Sequence, residues 1–140
     1  MPTIETNSQK FFGRALDDVR AVEHESDPGI QKIYGGLCHK FPILVLTCGL
    51  CQAVAFVEAK AAGGDADRKR AYEFLRAHVA ALLGVTPATG LQQTVREANL
   101  SDYMRYTRLI RRAWVYYKRF AVSILKVESA AELDDQEDIL

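Results

Sequence analysis

The sequence predicts an all-α protein, a single-domain helical bundle of about six helices. Apolar residues recur at three- and four-residue intervals in nearly every segment, which is the period of an amphipathic helix. No segment shows the alternation of β-branched residues between turn signals that is typical of strands. The chain has 140 residues, of which 49% are hydrophobic. A domain of this size buries enough surface to fold without disulfides or a structural metal.

The first helix is predicted from about Ser8, a residue type that caps helix N-termini, to His24. Its apolar residues share one side and are Phe12, Ala15, Leu16, Val19 and Val22. The sequence Asp27-Pro28-Gly29 predicts a break after this helix. A short second helix is then predicted across Ile30 to Leu37.

A third, apolar helix is predicted to begin near Pro42, a residue suited to the first turn, and to end at Gly63-Gly64. Gly49 inside it costs about 1 kcal/mol relative to Ala, which predicts a close helix crossing. The longest apolar run, residues 41–57, has the minimum length for crossing a bilayer. Because Gln52 interrupts this run, we favour a buried core helix and predict no membrane association.

Three further elements are predicted in the second half of the chain. Asp65 caps a helix that closes at Gly84, the residue type preferred just after a helix. Residues 86–90 form a loop, and a short helix covers about 91–98. Ser101 then caps the longest helix, which continues to about Val127.

The charge is distributed unevenly, so we divide the chain into a helical domain, residues 1–127, and a disordered acidic tail, residues 128–140. The tail contains six of the 18 acidic residues and no Lys or Arg. Residues 1–127 therefore have 18 basic and 12 acidic residues, a net charge of +6, which makes polyanions plausible partners. The tail could also fold back over a basic face, because opposite charges attract on a tether.

The last helix carries a basic stripe. Five basic residues project within about 60° of one another at 100° per residue, and they are Arg105, Arg108, Arg112, Arg119 and Lys126. Arg111 and Lys118 extend the stripe to one side. The opposite arc is expected to face the core and contains Tyr106, Leu109, Ile110, Ala113, Tyr117, Phe120 and Ile124.

The stripe has two interpretations. A solvated helix face is the ordinary one, since most charged residues lie at the surface. However, Asp102 is the only acid in this helix, so ion pairs along it cannot neutralise the stripe. Like charges at these spacings repel, which favours an anionic partner. Phosphate backbones fit this pattern, because Arg and Lys contact them without reading base sequence. An acidic protein surface fits it too.

The cysteines and histidines predict no metal site, cofactor or catalytic site. Cys48 and Cys51 have the C-x-x-C spacing of zinc and thiol–disulfide proteins, and Cys38-His39 lies nearby. Their expected place inside an apolar helix argues against both roles. No nucleotide-binding loop, nucleophile elbow or zinc-protease motif is present, so we predict a protein that is not an enzyme. The odd cysteine count and the polar first 14 residues predict a cytoplasmic protein.

Residues 34–56 resemble a signature of the Cmr small-subunit family, the fifth-named, all-α component of the type III-B CRISPR RAMP effector complex. The similarity includes Lys40 before Phe41-Pro42 and a Gly-Leu-x-Gln-x-x-x-Phe helix. The pattern of residues 112–121 is similar as well, and the resemblance covers most of residues 8–127. The sequence departs from the family pattern at Cys48, where Asn usually precedes Gly-Leu.

The resemblance implies a non-catalytic subunit whose copies stack into a filament in an antiviral, RNA-guided complex. The implied partners are the RAMP backbone subunits, the large polymerase-like subunit, further copies of this chain, and the guide and target RNA. We predict six residues that contact RNA phosphates: Arg105, Arg108, Arg112, Arg119, Lys40 and Lys60. The alternative function is a helical adaptor that binds an acidic protein through the same basic face. A thiol or metal protein centred on Cys48 and Cys51 is a third possibility.

Overall fold

The computed structural model describes residues 5–130, which form six α-helices joined by short connections. The helices are α1 (Asn7–Glu25), α2 (Pro28–Cys48), α3 (Leu50–Ala61), α4 (Ala66–Leu83), α5 (Leu91–Glu97) and α6 (Leu100–Ser123). A single 3₁₀ turn, Ala88–Gly90, occupies the predicted loop before α5. No β-strand occurs between residues 5 and 130, and the all-α prediction is confirmed.

The helix caps are partly as predicted. The Asp65 side chain accepts a backbone N–H in the first turn of α4, at 2.9 Å, which confirms that cap. The two serine caps are wrong. Thr6, not Ser8, caps α1, and Asn99, not Ser101, caps α6. In both helices a polar side chain two residues earlier accepts a hydrogen bond from a backbone N–H of the first turn, so the serine lies inside the helix.

The predicted boundary between the second and third helices is also wrong. Instead of beginning a new helix, Pro42 lies within α2 and removes one backbone hydrogen bond from it. The break occurs at Gly49, which has a φ of +88°, a conformation that side-chain-bearing residues rarely adopt. Its N–H still donates to the Val45 carbonyl at 3.0 Å, which makes Gly49 the C-cap of α2.

The break at Gly49 divides the apolar run of residues 41–57 between two helices. Within residues 5–130, no single helix is long and apolar enough to cross a membrane. The segments Ala66–Leu83 and Ala88–Glu97 meet that test only together, across a bend of 78°.

The core lies where α6 packs against α1, α2 and α4, while α3 packs against α2, α4 and α5. Its largest fully buried side chains are aromatic: Trp114, Tyr34, Tyr72, Tyr117 and Phe41. The rings of Trp114 and Tyr117 stack with a centroid distance of 4.0 Å. Trp114 is absent from the predicted core arc of the last helix, yet it is completely buried because α2 covers that side, with Phe41 at 5.4 Å.

The chain folds back after α6, which ends at Ser123 rather than at Val127. Lys126 has a φ of +63°, and the reversal buries Leu125 and Val127. A Cβ on Gly35 of α2 would lie 2.6 Å from the Val127 side chain, so this close packing requires glycine. His39 of α2 also donates from Nε2 to the Val127 carbonyl, at 2.8 Å. Residues 131–140 of the predicted acidic tail lie outside the described residues.

Candidate nucleic-acid interface

The outer face of α6 carries the predicted basic residues. All four predicted arginines of this helix are exposed on one side of it: Arg105, Arg108, Arg112 and Arg119. Arg111 and Lys118 are exposed beside them. Because α6 is continuous from Leu100 to Ser123, the four arginines lie within about 60° of one another. We call these six residues the basic stripe.

Acidic side chains neutralise little of the basic stripe. Asp102 is the only acid in α6, and its Oδ1 lies 3.5 Å from Nη2 of Arg105. Both side chains are about half exposed, and such surface pairs contribute little energy. Farther along, Arg108, Arg111 and Arg112 line a depression of about 300 Å³. Three positive charges around one concave surface attract anions.

A groove of about 490 Å³ lies farther toward the C-terminal end of α6 and is lined by His39, Val115, Lys118, Arg119, Val122 and Ser123. We call it the α6 groove. Val115 is 53% exposed and Val122 is 40% exposed, so apolar side chains reach solvent within the basic stripe. Neither valine was predicted to belong to this face, although at 100° per residue both lie within about 60° of Arg108 and Arg119. A search for exposed apolar residues on that face would have found them.

Lys126 does not belong to the stripe, which corrects the predicted extent. It follows the end of α6, and its Nζ donates to the Ser123 carbonyl at 3.0 Å. The physical reason is the burial of Leu125 and Val127, since a helix continued through this segment could not place both in the core.

The two predicted lysines form a second group, on other helices. Lys40 of α2 and Lys60 of α3 each place Nζ 5.7 Å from the centroid of the Phe56 ring. That half-buried ring packs edge-to-face on Tyr72 of α4, at 5.8 Å. The structure therefore brings these lysines together around one aromatic ring, whereas the four arginines share α6.

The cysteines lie in a different context from the one predicted. Cys38 is buried, Cys48 ends α2, and Cys51 is exposed in the first turn of α3 rather than inside an apolar helix. The backbone N–H of Cys51 donates to the hydroxyl of Tyr103 at 3.0 Å. Burial raises the pKa of the Cys38 thiol well above its ordinary value. Among residues 5–130, no group of three or more His, Cys, Asp or Glu side chains could hold a metal ion.

A buried polar network joins four helices behind the stripe. The Tyr34 hydroxyl lies 2.6 Å from Nδ1 of His78, and the Tyr117 hydroxyl donates to Asp18 at 2.5 Å. Nε2 of His78 lies 3.9 Å from the other oxygen of Asp18. Burial raises the pKa of both tyrosines, so both hydroxyls keep their protons within this network. No sequence pattern predicted this network, because its members are far apart in the chain.

The burial of His78 lowers its pKa, although the nearby Asp18 carboxylate opposes the shift. Charged His78 is thus disfavoured in the folded protein. Asp18 also faces a second depression, of about 580 Å³, which follows α1 and is lined by side chains of both signs, including Lys10, Arg14 and Asp17. Mixed charge makes that depression a weaker anion site than the outer face of α6.

Comparisons with known proteins agree on one family. A profile of the family described as CRISPR-associated protein (Cas_Cmr5) matches residues 7–124. The Cmr subunit Cmr5 of the CRISPR system of Thermus thermophilus is 32% identical over 121 residues, which are 86% of this chain and 97% of the relative. The crystal structure of a CRISPR-associated Cmr5 family protein, also from Thermus thermophilus, matches with a TM-score of 0.70 and 33% identity. That match covers 86% of this chain and 98% of the solved one.

Proposed function

This chain belongs to the Cmr5 family of CRISPR-associated proteins, subunits of the type III-B Cmr complex, and from this premise we propose that it is a non-catalytic small subunit that holds RNA. The observation that carries the proposal is the outer face of α6, where exposed charges of one sign share a single surface. In the assembled complex this surface faces the phosphates of the guide and target RNA. The role is positioning of RNA during antiviral defence.

The geometry of the stripe suits phosphate contacts that are independent of base sequence. Arg105 and Arg119 are 14 residues apart, or about 21 Å along a helix, which is long enough to follow several phosphates of one strand. Guanidinium groups donate to phosphate oxygens with two parallel hydrogen bonds. Such contacts release counterions, so the affinity depends on salt.

The protein partners need a separate surface, and α2 offers one. Ile43 is 54% exposed and Leu46 is 70% exposed, and they are three residues apart on the same side of that helix. Exposed apolar residues that cluster often mark protein contacts. We assign this surface to contacts with the RAMP backbone subunits, the large polymerase-like subunit or further copies of this chain, stacked as a filament.

The test is charge reversal within the assembled complex. Arg108→Glu/Arg112→Glu removes two phosphate contacts, so we expect weaker RNA binding and a salt slope, log Kd against log salt, that falls by about 1.4. The control is Lys69→Glu/Arg96→Glu, which makes the same charge change at exposed residues of α4 and α5. Equal losses in both variants would show that net charge matters and the α6 face does not.

A second measurement distinguishes the proposed RNA-holding subunit from the alternative, an adaptor that binds an acidic protein. Tagged protein is recovered from its native host with and without ribonuclease treatment. Under our proposal, RAMP-type subunits and short RNAs are recovered together, and Arg108→Glu/Arg112→Glu lowers the amount of RNA. Recovery of an acidic protein without RNA, lost in the same variant, would instead favour the adaptor.

A further inference from the structure

We propose that residues 131–140 of this chain dock in the α6 groove and compete with RNA for the basic stripe. The inference rests on the proposed function, since it assigns a regulator to the same surface. The groove combines apolar walls with a basic rim, and an extended phosphate backbone does not account for Val115 and Val122 at its centre.

The described chain ends beside the groove. His39, which lines the groove, donates from its Nε2 to the carbonyl of Val127 at 2.8 Å. The Val127 side chain is buried against Gly35, so this attachment is fixed by packing as well as by the hydrogen bond. Only three described residues, 128–130, separate this anchor from the segment that we assign to the groove.

The segment is long enough to follow the stripe. Ten residues in extended conformation span up to about 33–36 Å. The distance along α6 from Arg108 to Val122 is 14 residues, or about 21 Å. The segment can therefore cover the α6 groove and continue to the depression formed by Arg108, Arg111 and Arg112.

The chemistry of the segment matches the groove. Five of its ten residues are acidic: Glu132, Asp134, Asp135, Glu137 and Asp138. Three are large and apolar: Leu133, Ile139 and Leu140. Lys118 and Arg119 on the rim fit the carboxylates, and Val115 and Val122 fit the apolar side chains.

Competition follows from the tether. A segment held by a short linker has an effective concentration in the millimolar range, so weak docking is enough to occupy the groove. If the tail occupies the groove for about nine-tenths of the time, the apparent RNA affinity of the free chain falls by about tenfold. An assembled complex with many phosphates displaces the tail, whereas RNA that meets the free chain binds with about tenfold lower apparent affinity.

The docking is tested on the full chain by zero-length carbodiimide crosslinking, which joins a carboxylate to an amine in direct contact. We expect crosslinks between Lys118 and the acids of residues 132–138, lost at about 1 M salt, where the Debye length is about 3 Å. The internal control is Lys69, an exposed lysine of α4. A mixture of ¹⁴N- and ¹⁵N-labelled chains separates docking within one chain from docking on a second copy.

Two variants sharpen the crosslinking result. Val115→Ser/Val122→Ser is expected to lower the Lys118 crosslink severalfold, whereas Leu100→Ser, at an exposed apolar residue in the first turn of α6 and outside the groove, leaves it unchanged. The docking is overturned if Lys118 crosslinks no more than Lys69 does. It is also overturned if the crosslinks join light to heavy chains, because the occupant is then a second copy.

The competition is tested by RNA affinity. A variant with all five acids of residues 131–140 changed to their amides is expected to bind single-stranded RNA about tenfold more tightly than the native chain at low salt. Equal affinity overturns the competition. If the crosslink forms and neither chain binds RNA, docking stands and the proposed function fails. If both bind RNA equally and no crosslink forms, docking fails and the proposed function stands.

Discussion

The two faces of α6 differ in almost every property, although they belong to one helix. The inner face places Trp114 and Tyr117 entirely within the core, and the outer face exposes Arg108 and Arg112 to solvent. Folding energy therefore comes from one side and anion attraction from the other. Substitutions on α6 should accordingly separate into those that unfold the domain and those that weaken RNA binding.

The inner face of α6 also takes part in a hydrogen-bond network with other helices. Tyr117 connects α6 to Asp18 of α1, and the same carboxylate faces His78 of α4. The outer arginines are exposed and their contacts lie at the surface, as where the Arg105 guanidinium lies 5.0 Å from the centroid of the Tyr106 ring. Four expected results test this contrast.

Trp114→Ala should produce the largest loss of stability. Its side chain is completely buried between Phe41 and Tyr117, so the variant leaves a cavity and loses about 3–5 kcal/mol of unfolding free energy. Urea denaturation followed by circular dichroism measures it. Trp114→Phe keeps a ring and removes a buried N–H that lacks a hydrogen-bond partner among residues 5–130, so it should lose less. A loss below about 1 kcal/mol for Trp114→Ala would contradict the assignment of this face.

Tyr117→Phe should have the next largest effect. The change keeps the ring and leaves the Asp18 carboxylate without the hydroxyl that donates to it at 2.5 Å, which costs about 1–3 kcal/mol. The control is Tyr116→Phe, at a half-buried tyrosine whose ring packs on Phe12. The control should change stability by less than about 0.5 kcal/mol. Equal losses of stability in the two variants would show that the hydrogen bond from Tyr117 to Asp18 does not stabilise the fold.

Acidification should destabilise the inner face through His78. Burial lowers its pKa in the folded state below the ordinary value of 6.5, so the unfolded chain binds more protons as the pH falls below about 7. This contribution to stability is complete above the unfolded pKa and is lost at up to about 1.4 kcal/mol per pH unit as the pH falls toward the folded pKa. Thermal melts between about pH 5 and 8 should show a weaker dependence of stability on pH in His78→Asn than in the native chain. An unchanged dependence would assign it to other groups.

Arg108→Ser/Arg112→Ser should have the smallest effect on stability. The two arginines are one turn apart, and removing like charges at this spacing relieves a few tenths of a kcal/mol of repulsion. We expect an unfolding free energy within about 0.5 kcal/mol of the native value, together with weaker RNA binding. A large loss of stability here would mean that the outer face contributes to the fold.

Local signals predicted the helices well where each end depends on nearby residues. Asp65 and Gly84 delimit α4 as expected, because a capping side chain and a left-handed glycine act within one turn. Pro42 misled the prediction, since packing around α2 compensates the hydrogen bond that proline removes, and Gly49 provides the break instead. Serine caps failed where a better-placed Thr6 or Asn99 precedes them.

The basic stripe was predictable, apart from its end. The angular positions of Arg105, Arg108, Arg112 and Arg119 follow from helix geometry alone, so their shared face could be read from their spacing. The position of Lys126 could not be predicted in this way, because the burial of Leu125 and Val127 depends on Gly35 in another helix. The pairing of Lys40 with Lys60 around Phe56 likewise required the packing of α2 on α3.

The amino-acid pattern alone established the all-α class, the one-sign surface of the last helix and the resemblance to the small-subunit family, since each rests on residues that are close together in the chain. The contacts between distant segments depend on how the helices pack. The hydrogen bond between Tyr117 and Asp18 joins residues 99 positions apart. The one between His39 and the Val127 carbonyl joins residues 88 positions apart. Periodicity reports which side of a helix is buried, whereas only the packed chain selects the partner that covers it and the groove that remains open.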